Sequence, residues 1–446
     1  MQIKQFEDKS LAHFSYAILS ECTKKIALID PSRNPAPYLD FAKENDAEIE
    51  IIIETHPHAD FISSHLELHH TTGATIYTSK LVGAAYPHKS FDLGDHLQMG
   101  KIKFSAINTP GHSPDSICII LEHEDVQKAV FTGDTLFIGD CGRPDLREQE
   151  GELLTGRLEL GRQMYHSLRN ELMVLCDETI VYPAHGAGTL CGKALSKARS
   201  STIGKEKATN WCLQAQTEDE FVKELLKDQP FIPAYFPFNV ALNKKGAPAF
   251  KTSVDAISIE QMSDAITLDS TIWIIDIRKE NIYKDGHLPK TINLMEGDKM
   301  ETWLGSTIQP DEDFYIIGDN INSLRIMIER VAAIGYEPQI KGVFILQNGE
   351  IKSNKIDLNL FNANPQQYTI VDVRNEEEVY DKKIFAGSLS FPLGKLRENV
   401  GKIPTSKPIV VYCAGGYRSA AASSFLQSEL KNKVKVFDLG EAVKLY

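Results

Sequence analysis

Apolar residues in the first part of the chain recur with two alternating periods. Positions 14–20 and 25–30 follow the two-residue period of strands, and 35–45 the longer period of a helix. The apolar run at 49–55 reads as a further strand and 61–72 as a short helix. Strands are expected at 74–78, 102–109, 116–122, 130–132 and 179–182, with a helix over 158–176. A polar helix is expected over 205–227. Pro230-Phe231-Ile232-Pro233-Ala234-Tyr235-Phe236-Pro237 then holds too much proline for a regular element. Asn243-Lys244-Lys245-Gly246-Ala247-Pro248 reads as a linker.

Beyond that linker the pattern repeats. Trp273-Ile274-Ile275-Asp276-Ile277-Arg278 matches Thr369-Ile370-Val371-Asp372-Val373-Arg374 at an offset of 96 residues. Phe314-Tyr315-Ile316-Ile317 matches Ile409-Val410-Val411-Tyr412 at an offset of 95, and each copy runs on into a helix. Two similar α/β units of roughly 100 residues follow from this. The expected domains are 1–243, 250–348 and 355–446.

Composition narrows the class of protein. A length of 446 residues suggests about three domains. The net charge of −13 argues against nucleic-acid and anionic-membrane partners. No run reaches the roughly 18 apolar residues of a membrane span, and Met1–Phe6 lacks the apolar core of a secretory signal. Seven scattered cysteines do not make a disulfide framework and fit a reducing cytoplasm.

Candidate chemistry concentrates at strand ends. In Glu54-Thr55-His56-Pro57-His58-Ala59-Asp60-Phe61, residues two apart in extended chain point the same way, so His56, His58 and Asp60 can converge. Thr109-Pro110-Gly111-His112-Ser113 adds His112, Phe131-Thr132-Gly133-Asp134-Thr135 adds Asp134, and Tyr182-Pro183-Ala184-His185-Gly186 adds His185. Imidazoles and carboxylates together suit a borderline-to-hard divalent metal. Phe61 cannot bind one.

This order of segments resembles the metallo-β-lactamase fold, an αββα sandwich, over about residues 1–240. In its two-metal members a histidine stands at the position of Phe61. Gly133-Asp134 through Cys141-Gly142-Arg143-Pro144-Asp145 more narrowly resembles persulfide dioxygenases. That resemblance implies one Fe(II) per chain, held by His56, His112 and Asp134, with O₂ as co-substrate. It makes His58, Asp60 and His185 groups that orient ligands and water, with His58 still a possible direct ligand. It casts Arg143 and Asp145 as holding the active-site loop and positioning the thiol carrier. Cys191 reads equally as a small buried residue or as a sulfur-accepting thiol that Lys193 favours as thiolate. Gly186-Ala187 stands where glutathione-using members often carry Asp-Tyr, which weakens glutathione as the carrier.

Cys413-Ala414-Gly415-Gly416-Tyr417-Arg418-Ser419 follows an apolar strand and opens a helix. Glycines permit a turn whose backbone N–H groups face inward as an anion nest, placing Gly415, Gly416 and Ser419 at a binding loop. A cysteine beside a helix N-terminus and Arg418 is expected to have its pKa lowered into roughly the 3.5–7.5 range. The segment resembles the active loop of a rhodanese over about 355–446, with the four-residue gap between Cys413 and Arg418 of that family. The related phosphatases have a longer loop. The earlier copy holds Gly318 at the cysteine position and no arginine, so it resembles an inactive rhodanese with an architectural role, such as placing the active copy or forming an oligomer contact. His65, His69 and His70 read as a solvated helix face, His287 as a structural turn, and His13 gives no signal.

Together these resemblances imply oxidation of a small thiol persulfide by O₂ to sulfite and thiol. Sulfur transfer through a Cys413 persulfide, with Arg418 beside it, would give thiosulfate or run in reverse, as in sulfide detoxification. The alternative is a glyoxalase II-like thioester hydrolase fused to a sulfurtransferase. The expected state is a cytoplasmic homo-oligomer.

Overall fold

A computed structural model describes residues 1–146, 156–193, 195–263, 266–431 and 433–446. The chain forms two compact units, Met1–Ser253 with Ala332–Gly335, and Val254–Val331 with Tyr336–Tyr446.

The first unit holds two six-stranded sheets. One runs β1 (Gln2–Asp8), β2 (His13–Ser20), β3 (Lys25–Ile29), β4 (Glu48–Ile53), β5 (Thr75–Thr78) and β6 (Lys89–Ser90) in spatial order. The other contains β7 (His96–Met99), β8 (Ile102–Asn108), β9 (Ile117–His123), β10 (Val126–Gly133), β11 (Ile180–Pro183) and β12 (Ser201–Thr202), in reverse order. The period of β2 shows why they stack. Phe14, Tyr16 and Ile18 meet Phe104, Ile119 and Phe131 of the second sheet in one core. Ala17 and Leu19 point the other way, against Tyr38 and Phe41 of the helix Ala36–Glu44. A third cluster joins the outer face of the second sheet to Met164, Leu168 and Phe221. Both faces of each sheet are thus covered, giving the αββα layering.

Three expectations change in this unit. The helix expected over 61–72 begins only at His65, because Ser63 is tied by its N–H to Asn243 Oδ1 (2.9 Å) and by its hydroxyl to Glu54 Oε1 (2.8 Å). The helix expected over 205–227 is broken into Ile203–Thr209 and Glu218–Leu226. Buried Asn210 interrupts it, its amide donating to the carbonyls of Phe137 and Asp140 at 3.1 Å each. The supposed linker is the end of a helix, Phe236–Lys245, with Pro237 tolerated in its first turn. Asn243 is 2% exposed and donates to the carbonyls of His58 and Phe61, both at 2.8 Å.

The second unit holds two parallel sheets. The first contains β13 (Ile259–Gln261), β14 (Trp273–Asp276), β15 (Thr291–Asn293), β16 (Phe314–Gly318) and β17 (Ile340–Ile345), ordered β13-β17-β16-β14-β15. The second contains β18 (Thr369–Asp372), β19 (Leu389–Ser390), β20 (Ile409–Tyr412) and β21 (Val436–Asp438), ordered β19-β18-β20-β21. Apart from β13, the two share one strand order, as the repeated sequence predicts. Near-continuous apolar strands such as Ile409–Tyr412 are buried throughout, as parallel sheets covered on both faces require.

Candidate metal centre and sulfur-transfer loop

The candidate ligands stand where strands of the first unit end. His56, His58 and Asp60 follow β4, His112 follows β8, Asp134 follows β10 and His185 follows β11. His56, His112 and Asp134 come together, all buried, with one ligand atom of each within 4.8 Å of the others. Asp134 Oδ2 lies 3.8 Å from His56 Nε2 and 3.5 Å from His112 Nε2. Buried His56 Nε2 and Asp134 Oδ2 have no hydrogen-bond partner among the described residues. Buried polar atoms left bare are costly, so a shared cation fits them.

Neighbouring groups fix how the imidazoles point. Thr55 Oγ1 donates to Asp30 Oδ2 at 2.8 Å, so at 3.0 Å it accepts from His56 Nδ1. His112 Nδ1 donates to the Arg143 carbonyl at 2.8 Å. Each ring thereby turns the lone pair of Nε2 toward the triad. Burial, then the neighbouring His58, holds the His56 pKa well below the usual range, leaving it neutral. Burial opposes ionisation of Asp134, but the charge and hydrogen bond of His185, with His112 and His56, outweigh it and hold the carboxyl well below its range. Two imidazoles and a carboxylate make the donor set of a facial triad.

His185 joins the triad indirectly. Its Nδ1 lies 2.7 Å from Asp134 Oδ1 and its Nε2 2.7 Å from Asp60 Oδ2. Burial disfavours its charge, yet the two carboxylates raise its pKa well above the usual range. The ring is therefore an imidazolium clamped between two acids. His58 turns away from the triad toward Asp30 (3.2 Å), grouping with Asp30 and Glu54. Phe61, 1% exposed, packs its ring 4.3 Å from His58 and 3.9 Å from His13, centroid to centroid.

Arg143 is buried, not at the surface. It grips Asp145 with two hydrogen bonds of 2.6 and 2.7 Å and donates to the Leu190 carbonyl at 3.2 Å. Its backbone N–H donates to the Cys191 carbonyl at 2.9 Å. The loop of Arg143 thus fastens both His112 and the Cys191 segment. Close approach here needs Gly142, since a Cβ there would stand 1.9 Å from the Asp134 carbonyl oxygen.

Cys191 is not activated by Lys193. That ammonium donates to the carbonyls of Glu224 (2.6 Å) and Lys227 (3.0 Å). Burial, then the charges of Asp60 and Asp134, push the Cys191 thiol well above the usual range, which keeps it protonated. His65 is not on a solvated face either. It is 1% exposed, its ring centroid lies 4.4 Å from that of Tyr86, and burial lowers its pKa to about 3. His287 holds its turn, its N–H donating to the Ile351 carbonyl at 2.8 Å and its ring stacked on Tyr283. Sequence reasoning missed three groups around the site: Asp30, Thr55 and His13. Asp30 and Thr55 carried the same strand-end signal as the ligands. His13 offered none, because it starts β2 and meets Phe61, beyond β4, only once the strands of that sheet are assembled.

In the second unit, Cys413 leaves the end of β20 and lies 2% exposed beneath its loop. The Gly416 N–H donates to its sulfur at 3.1 Å. Gly416 has a φ of 100°, which L side chains rarely adopt, and it caps the helix Tyr417–Glu429. Ser419 is buried and donates to the Gly416 carbonyl at 3.0 Å, bracing the turn, while Gly415 is exposed. Arg418 donates to Glu378 Oε2 and Oε1 at 2.5 and 2.8 Å. This loop and a helix N-terminus around a thiol are suited to hold an anionic sulfur.

Comparison with known proteins finds a family match over each of the two stretches that carry these groups. The metallo-beta-lactamase superfamily model matches residues 11–185, and the rhodanese-like domain model matches 357–441. The probable hydroxyacylglutathione hydrolase glo2 of Schizosaccharomyces pombe is 31% identical over 39% of this chain, which spans 63% of that relative. The mitochondrial persulfide dioxygenase ETHE1 of Bos taurus is 29% identical over 54% of this chain and 87% of its own length. The crystal structure of a metallo-beta-lactamase from Staphylococcus aureus subsp. aureus COL superposes with a TM-score of 0.69 at 29% identity, covering 77% of this chain and 98% of that one. Residues 11–185, which carry the triad, therefore belong to the metallo-beta-lactamase superfamily, and residues 357–441, which carry Cys413, to the rhodanese-like domains.

Proposed function

We propose that the first unit oxidises a low-molecular-weight thiol persulfide with O₂, and that Cys413 transfers sulfane sulfur. In the first reaction one persulfide, one O₂ and one water give one thiol and one sulfurous acid. In the second, sulfite attacks the outer sulfur of a Cys413 persulfide, the S–S bond breaks, and thiosulfate leaves a Cys413 thiolate. The observation that carries this reading is a triad of two histidines and one aspartate with Phe61 where a further ligand would stand. The similarity to a persulfide dioxygenase supports it.

His56, His112 and Asp134 would hold the metal, and Fe(II), when bound, supplies open positions where O₂ and a sulfur donor meet. The protein's own groups set up that site. Thr55 and the Arg143 carbonyl hold Nδ1 of each imidazole, so that both Nε2 atoms are aimed at one point. His185 keeps a proton between Asp134 and Asp60, which orients Asp134 so that Oδ2 faces the histidines. Phe61 and His13 pack together behind them, a dry wall beside the site. Anaerobic loading with Fe(II), followed by addition of a thiol persulfide, is expected to start O₂ uptake with release of sulfite. No uptake from a protein with a filled triad would sink this reading.

A second reading, metal-dependent thioester hydrolysis, has the likeness to hydroxyacylglutathione hydrolases in its favour. Hydrolysis of an acyl-thiol by the same protein, with two metals bound, would favour it. Among the described residues no helix is long and apolar enough to cross a membrane.

A further inference from the structure

The two copies in the second unit share one buried arginine–carboxylate pair and differ in another. Arg278 grips Asp276 in the first copy, and Arg374 grips Asp372 in the second, each closing at 2.6 Å. Each guanidinium also donates at 2.9 Å to a nearby carbonyl, of Gly286 or of Lys382. A pair kept in both copies serves the fold. The Arg418–Glu378 pair occurs only in the copy that has Cys413. At the offset of 96 the residue matching Glu378 is Ile282, and the loop after Gly318 holds no arginine. Carboxylate, guanidinium and thiol are thus present together in one copy and absent together from the other, which ties the pair to the chemistry.

The pair is held by further contacts and partly shielded. The Arg418 and Glu378 side chains are 13% and 36% exposed. Glu378 Oε2 also accepts the Asn375 N–H at 3.1 Å, fixing it to the first turn of the helix Glu376–Asp381. Arg418 lies 5.6 Å from the Trp303 ring centroid, and its charge interacts with Cys413. Both terminal nitrogens of Arg418 are committed to a carboxylate. The cation that would draw a doubly charged anion into the loop is therefore neutralised.

We propose that Glu378 is a specificity-determining, positioning residue that acts through Arg418. It disfavours dianionic donors such as thiosulfate and leaves Cys413 to take sulfur from thiol persulfides of lower charge. The Cys413 thiolate attacks the outer persulfide sulfur, the S–S bond breaks, and the departing thiolate takes up a proton. This rests on the reading of Cys413 as a sulfur acceptor.

The test is E378Q in the full chain, with transfer to cyanide measured from thiosulfate and from a thiol persulfide. Glutamine keeps the contact to the Asn375 N–H and removes the charge. The KM for thiosulfate is expected to fall about 10-fold, equivalent to about 1.4 kcal/mol, with kcat and the persulfide KM each within about twofold. The gain should shrink as salt is raised. A thiosulfate KM that rises, or equal changes for both donors, overturns the proposal. E378D keeps the charge while loosening the pair, and it carries the test if E378Q does not fold. Unaltered donor preference is expected, and a fall in thiosulfate KM would overturn the proposal. A wild-type protein that uses neither donor overturns the reading of Cys413 itself, and the proposal with it.

Discussion

Single residues set the character of the candidate metal site. Thr55 is the hinge between the Asp30 charge and the His56 ring, so Thr55→Val should cost 10- to 100-fold in metal affinity, read by competition with a chelator. Phe61 follows Asp60 at the position where the two-metal proteins it resembles carry a histidine, and its ring packs on His58 and His13. Phe61→His is expected to bind a second equivalent of metal, which elemental analysis would detect. His65 gives the first unit an acid limit. Its pKa is about 3 when folded against an ordinary 6.5, so the unfolded chain binds more protons between those values. Stability therefore falls as pH drops through that window, by roughly 2 kcal/mol between pH 7 and 5 from this group alone. Urea denaturation of the metal-free protein at the two pH values measures the loss, and His65→Leu should reduce it by about that amount.

At the scale of elements, a helix outside the sandwich secures the metal-binding loop. Phe236–Lys245 places Asn243 against the backbone of residues 58–63, satisfying two carbonyls and one N–H. Asn243→Leu leaves these groups bare in a buried place, at about 1–3 kcal/mol each. A clear fall in melting temperature is expected, together with weaker metal retention, since the loop carries His56. The sequence hid this helix because Pro233 and Pro237 lie at its start and Lys244-Lys245-Gly246 close it, a composition that loops share. By contrast, the repeat in the second unit was plain, because its parallel strands are apolar on both faces and so leave long matching runs.

For the molecule as a whole, two sites in two units imply two separable activities. Cys413→Ser should abolish sulfur transfer while O₂ uptake on a persulfide continues near the wild-type rate. Asp134→Asn should do the reverse, losing metal and O₂ uptake with sulfur transfer to cyanide retained. Oxygen-electrode and thiocyanate assays on the same two preparations check both outcomes. Loss of both activities in either variant would contradict the separation.

The sequence by itself determined the chemistry on offer. Histidines and aspartates spaced by two or set at strand ends must project from one edge of a sheet, and a cysteine between a strand and a helix N-terminus must sit in a turn. Those constraints are local, so they are legible in order and spacing. Only the tertiary structure decided which groups meet. His58 faces Asp30 while His56 faces Asp134, although both lie on one short stretch. Lys193 follows Cys191 closely but spends its charge on distant carbonyls. Glu378, far from the cysteine loop in sequence, neutralises Arg418. Partner choice among buried charges depends on the packing of separate elements, because each charge must find its compensation wherever the fold excludes water.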